Sequence, residues 1–296
     1  MLANLSPLFS YPSKAWRGNR RTAKGMTGYA VEFHIPTDKF MSSFTKLSTS
    51  ARASRRAWIR RYANGVWATA KTAGAPRLSR FLLLVGVQWP RDTIYPAVAC
   101  DEAAKPVIDA MTDQGLIPDD SPEYRVFTGY FEVPGTSPYG VSLTVFIVPL
   151  ASGEAIPSAI VSRAPGAVGV VRKLTIRDAD WLTSNMRLDP SERKARQERV
   201  MAASADLWKG VRLTGNVALL CGVRYPNGRW IGDPDNVAST ACGITECGAV
   251  LGALPRKPAM TGFFLLNGES RSGTHDIEVL ALQAPDDVYW PTLLTA

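Results

Sequence analysis

Residues 81–90 read FLLLVGVQWP, and residues 217–226 read VALLCGVRYP. The two segments agree at Leu83/Leu219, Leu84/Leu220, Gly86/Gly222, Val87/Val223 and Pro90/Pro226. Each is a short apolar run closed by a proline, the pattern of a strand. A polar loop follows each run and ends in aspartates at the head of a helix-like stretch. In the second copy that stretch is Gly232-Asp233-Pro234-Asp235-Asn236-Val237-Ala238. In the first it is Ala99-Cys100-Asp101-Glu102-Ala103-Ala104-Lys105, continuing through Asp109 to Leu116-Ile117-Pro118-Asp119-Asp120. Ten residues lie between Pro90 and Asp101 and eight between Pro226 and Asp235, a difference that a surface loop accepts cheaply. The pattern predicts two copies of one unit, each carrying a different part of an acidic site.

Working outward, residues 28–36 alternate apolar and polar like a strand, and residues 48–72 read as a basic helix. In that helix Arg52, Arg56 and Arg60 share one face, while Trp58, Tyr62 and Val66 form an apolar stripe. Strands are expected at 78–90, 124–133 and 141–148, with a helix at 101–112. The second copy repeats the order, with strands at 170–176, 213–225, 261–266 and 276–283 and helices at 190–210 and after Asp235. The expected organisation is a basic N-terminal arm at 1–27, repeat 1 at 28–150, a small-residue and proline-containing linker at 151–168, repeat 2 at 169–285 and a C-terminal tail at 286–296. The fold class expected is α+β, as two α/β repeats in tandem.

Composition bounds the rest. With 46% hydrophobic and 20% charged residues over 296 positions, the chain has the make-up of a globular protein large enough for two cores. Its longest apolar run is far too short to span a bilayer, and no signal peptide is visible. Four cysteines, Cys100, Cys221, Cys242 and Cys247, suit reduced thiols and a cytoplasmic setting. The net charge is +8, and the first 72 residues hold many arginines and lysines against only Glu32 and Asp38. Such a block attracts polyanions, so Arg52, Arg55, Arg56, Arg60 and Arg61 are candidate DNA-contacting residues.

Clustered aspartates are the ligand type of Mg²⁺, which can generate a nucleophile and compensate charge in phosphodiester cleavage. A lysine one helical turn from Asp101 can meet a phosphate. His34 and His275 stand apart from any nucleophile, and no Gly-rich phosphate loop occurs.

The first copy resembles the RusA family of Holliday junction resolvases. Asp101, Lys105, Asp109-Ala110-Met111, Gly115 and Asp119-Asp120 follow the order and spacing of that family's motif, with Ala99 and Glu102 as departures. Asp233-Pro234-Asp235-Asn236 supplies the family's D-x-D-N in the second copy, where Ser239, Gly243 and Ala253-Leu254 replace the remaining positions. The family works as a homodimer, so the resemblance implies a single-chain pseudo-dimer, found in a bacterial or phage-infected cell. It implies catalytic roles for Asp101, Lys105, Asp119, Asp120, Asp233 and Asp235. Mg²⁺ or Mn²⁺ would be held by Asp101, Asp120, Asp233 and Asp235. The function implied is binding of branched or duplex DNA with endonuclease ancestry, and the metal is expected near Asp101 and Asp120. Two alternatives stay open: a DNA binder without catalysis, and a phage-type protein that reuses the scaffold to bind or inhibit a host protein.

Overall fold

The computed structural model describes residues 6–7, 28–42, 45–91, 93, 95–138, 140–150, 161, 164–183, 186, 188–227 and 232–295. Most of the expected arm and linker therefore lie outside the described residues. In the first half the order is β1 (Ser6–Pro7), β2 (Tyr29–Ile35), α1 (Thr49–Thr72) and β3 (Phe81–Gln88). A 3-10 turn, Ala97–Cys100, then runs into α2 (Asp101–Asp113), before β4 (Arg125–Glu132) and β5 (Val141–Pro149). The second half has β6 (Val168–Arg177), α3 (Pro190–Ser204) and β7 (Val217–Arg224). Its own 3-10 turn, Pro234–Val237, runs into α4 (Ala238–Val250), before β8 (Met260–Leu265) and β9 (Thr274–Gln283).

Local chemistry accounts for the helix starts. Ser48 accepts a hydrogen bond from the Ala51 N–H, and Asp189 accepts from Ser191 and Glu192 with Pro190 in the first turn. Along α1, Ile59, Ala63, Trp67 and Ala70 recur at helical spacing and are buried.

The strands form one nine-stranded sheet in the order β1-β2-β5-β3-β4-β8-β7-β9-β6. Read outward from β4, the first half runs β4-β3-β5-β2; read outward from β8, the second runs β8-β7-β9-β6. Directions repeat too: β3/β4 and β7/β8 are parallel, and the other pairs within each half are antiparallel. The halves join by antiparallel pairing of β4 with β8, centred on Gly129 opposite Gly262. A mixed α+β fold is thus observed, as one continuous sheet.

Finer details recur at matched positions. Trp67 Nε1 donates to the Val107 carbonyl at 2.9 Å, and Trp208 Nε1 to the Ile244 carbonyl at 3.0 Å. A side chain at Gly86 would strike Phe131 and Val133, and one at Gly222 would strike Phe264 and Leu266. Both glycines leave room for the next strand's large side chains. The helices α1 to α4 pack on one face of the sheet over a shared core. On the other face Phe127, Phe131, Phe146 and Phe264 gather with Trp290 and Leu294 of α5 (Trp290–Thr295). The stretch expected as a tail is thus packed rather than free. All four cysteines are unpaired thiols, and among the described residues no helix is long and apolar enough to cross a membrane.

Candidate functional site

Each 3-10 turn packs against the central strands of both halves. The turn of the second half thereby carries Asp233 and Asp235 across to the first half, where α2 presents Lys105 and Asp109. Lys105 Nζ pairs with Asp120, with Asp233 Oδ2 at 3.0 Å and with Asp109 Oδ1 at 3.4 Å. Arg125, at the head of β4, is fully buried. Its guanidinium reaches Asp235 Oδ1 at 3.1 Å, Asp120 Oδ2 at 3.6 Å and Asp233 Oδ2 at 3.7 Å. It also donates to Thr128 Oγ1 at 2.8 Å and the Asp120 carbonyl at 3.1 Å. Acidic residues of both halves meet here in one composite cleft.

Burial and charge compete at each carboxylate. Burial raises the Asp120 pKa, but Lys105 and Arg125 outweigh it and hold the group below the usual carboxylate range. Asp235 follows the same pattern, with Arg125 and then Lys105 as its counter-charges. At Asp233 and Asp109 burial wins and the pKa is raised. Lys105 and Arg125 lose by burial but are held protonated by the surrounding aspartates.

The expected site residues divide. Lys105, Asp120, Asp233 and Asp235 come together. Asp101 does not join them at Lys105 or Arg125. Its carboxylate accepts from the Glu102 N–H at 2.6 Å, and burial, with Glu102 and Asp235 nearby, pushes its pKa up to about 7. Lys105 and Arg125 thus link Asp120 with Asp233 and Asp235, and Asp101 stands outside those ion pairs. Asp119 is exposed and accepts from the Asp120 N–H at 2.8 Å, the role of a turn residue.

Matching the copies by their helices also moves the motif. The 3-10 turns and the helices that follow align Ala97 with Pro234 and Asp101 with Ala238. Asp233, Asp235 and Asn236 therefore correspond to Pro96, Val98 and Ala99, so Asp235 is not the counterpart of Asp101. The D-P-D-N enters its helix one turn earlier than the identity of the aspartates suggests.

Of the candidate DNA-contacting arginines, three are engaged within the chain. Arg52 pairs with Glu102 and donates to the Ser42 and Thr45 carbonyls, while Arg55 donates to the Phe40 carbonyl. Arg60 makes two bonds to Asp113 at 2.7 and 2.8 Å and lies 3.8 Å from Asp109. Arg56 and Arg61 are exposed. Since Glu102, Asp109 and Asp113 lie on α2, the arginine stripe borders the composite cleft. Arg125 and Asp109 were absent from the expected site. For Arg125 the available signal is an arginine opening an otherwise apolar strand five residues after an Asp-Asp pair.

Asp120, Asp233 and Asp235 offer hard oxygen donors from both halves, which fits Mg²⁺ or Mn²⁺ in ligand type. Among the described residues no three such groups are already arranged as a metal cage, and the Lys105 ammonium stands between Asp120 and Asp233. A divalent ion would compete with that ammonium. No protein-family model matches the chain, and no curated protein matches it.

Proposed function

We propose that the chain is a nucleic-acid-binding protein of RusA-like ancestry, a fused pseudo-dimer in which one composite cleft carries phosphodiester-cleaving chemistry. The observation that carries this reading is the convergence of Lys105 and Asp120 from one half with Asp233 and Asp235 from the other. Random decay of two copies has no reason to spare complementary parts that meet. Asp120, Asp233 and Asp235 would hold the divalent ion, which supplies an activated water and charge compensation when bound. Lys105, freed from Asp120 and Asp233, would offer its ammonium to a phosphate oxygen. Arg125 helps hold Asp235 and Asp120 below the usual carboxylate range and lies within 3.7 Å of all three carboxylates. Arg56 and Arg61, exposed on α1, would meet the DNA backbone.

A second reading, a DNA binder without catalysis, is favoured by one feature: Lys105 and Arg125 already neutralise much of the acidic charge. Cleavage of a labelled four-way junction, flap or duplex with Mg²⁺ or Mn²⁺ decides between them. Asp120→Asn and Asp233→Asn should each abolish cleavage while sparing DNA binding, because each keeps its shape and loses a ligand charge. If the wild-type chain binds DNA and cuts none of these substrates, the non-catalytic reading stands. If it binds none of them at low ionic strength, both fall and a host-protein target becomes the reading to test.

A further inference from the structure

A cavity of about 510 Å³ lies between the first half's 3-10 turn and α4 of the second half. Its walls sit at the positions matched to the composite cleft. Pro96 and Val98 stand where the other cleft has Asp233 and Asp235, and Cys242 and Glu246 where it has Lys105 and Asp109. Gly115 and Gly252 close α2 and α4 with the same left-handed turn, so the residues that follow also match. Asp119 and Asp120 thus correspond to Arg256 and Lys257, an inversion of charge at the rim. The central pairing of β4 and β8 matches Arg125 to Pro258, another wall residue.

The inverted cleft is larger and more apolar than an ion site needs. Val98, Leu182, Ala249 and Pro258 give it flat hydrophobic walls, and Arg256 lies at its edge, exposed. Lys257 lies beside Arg256, exposed, and holds the Thr93 carbonyl at 3.1 Å. Arg193 adds a third cation, with its guanidinium on the Thr183 and Met186 carbonyls. Two carboxylates oppose them. Glu246 accepts from Gln197 at 3.0 Å, and Asp101 is held largely by its burial near neutral titration. Cations at the rim over an apolar interior suit a ligand with one anionic end and one flat, weakly polar end. A nucleotide unit of a nucleic-acid strand has that form, and pockets of this size bury such groups.

We propose that the second cleft is a holding subsite for one nucleotide of the bound strand, with its phosphate on Arg256 and Lys257 and its base in the cavity. The inference rests on the nucleic-acid reading above. On that reading the two clefts divide the labour of one ancestral pair, one cutting and one gripping.

The probe is a labelled single-stranded oligonucleotide, followed by anisotropy without divalent ions across a salt series, with the full chain. Arg256→Glu/Lys257→Glu should weaken binding by at least ~10-fold and flatten the salt dependence by about one to two charges. Ala249→Trp, which fills the cavity from the half-buried face of α4, should weaken binding by roughly 10-fold without changing the salt slope. Thermal melts matching the wild type exclude unfolding as the cause. If the charge variant loses affinity but Ala249→Trp does not, the base does not enter the cavity and the subsite is overturned. If the wild type binds and both variants bind equally well, the cleft is not used and only this inference falls. If the wild type binds the four-way junction or duplex but no single-stranded oligonucleotide, only this inference falls; if it binds none of the three, the nucleic-acid reading itself has failed.

Discussion

In one cleft Lys105 and Asp109 of a helix face Asp233 and Asp235 of a turn; in the other the matched positions are Cys242, Glu246, Pro96 and Val98. The backbone elements are the same and the chemistry is not. In the first cleft Arg125 has no exposure and leans on three aspartates, so each charge is tolerable only because the others are present. Remove one and its partners keep fewer counter-charges in a buried setting. The second cleft, with Pro258 at the position matched to the arginine, carries no such network. Intermediate compositions are the unstable ones.

The sharpest way to break this contrast is at the buried arginine. Arg125→Met should cost about 3–5 kcal/mol in urea unfolding, because it takes the ion-pair partner from buried Asp235 and leaves Asp120 and Asp233 to Lys105 alone, whereas Cys242→Met in the other cleft should cost under about 1.5 kcal/mol. Equal losses would show that the first cleft is no more interdependent than the second. Asp101, which lines the second cavity and feels Asp235 of the first cleft, gives a smaller, pH-dependent effect. Its folded pKa, about 7, lies above the unfolded value near 3.8, so the native state binds the proton more tightly. Its stabilising contribution is therefore present below about pH 4 and lost as pH rises through 7. Asp101→Asn should therefore be more stable than wild type at pH 8 and gain almost nothing at pH 4. A gain independent of pH would remove the titrating carboxyl from the explanation. Smallest are the flanks: Arg60→Ala beside Asp109 and Gln197→Ala beside Glu246 should each cost under about 1 kcal/mol. Only the first loss should shrink with added salt, and parallel salt dependence would contradict the charge difference between the clefts.

The elements were readable because the apolar runs at 81–90 and 217–226 and their flanking punctuation obey local rules. The basic helix was readable as an element, but its buried stripe is Ile59, Ala63, Trp67 and Ala70, one residue on from the expected Trp58, Tyr62 and Val66, which are half-buried. What local pattern could not supply is which half each carboxylate serves. Asp233 and Asp235 belong to the second copy in sequence and to the first copy's helix in space, because their turn packs across the sheet junction. Matching aspartate to aspartate hid the one-turn displacement that only the helix starts reveal. The arginines of α1 read as free charge in sequence, since the acids that take up Arg52 and Arg60 lie some fifty residues onward. Arg125 escaped notice for a related reason: its meaning comes from partners on three separate segments.

The pairing of β4 with β8 makes both halves parts of one polypeptide sheet, and this has an evolutionary consequence. In an assembly of identical subunits every substitution appears at both symmetry-related places, so neither can change alone. Here each place is encoded separately, and the partner is always present at the high effective concentration that covalent linkage provides. A substitution at one place leaves the matched place unchanged. Carrying both places on one chain therefore lifts that symmetry constraint, and each is free to specialise.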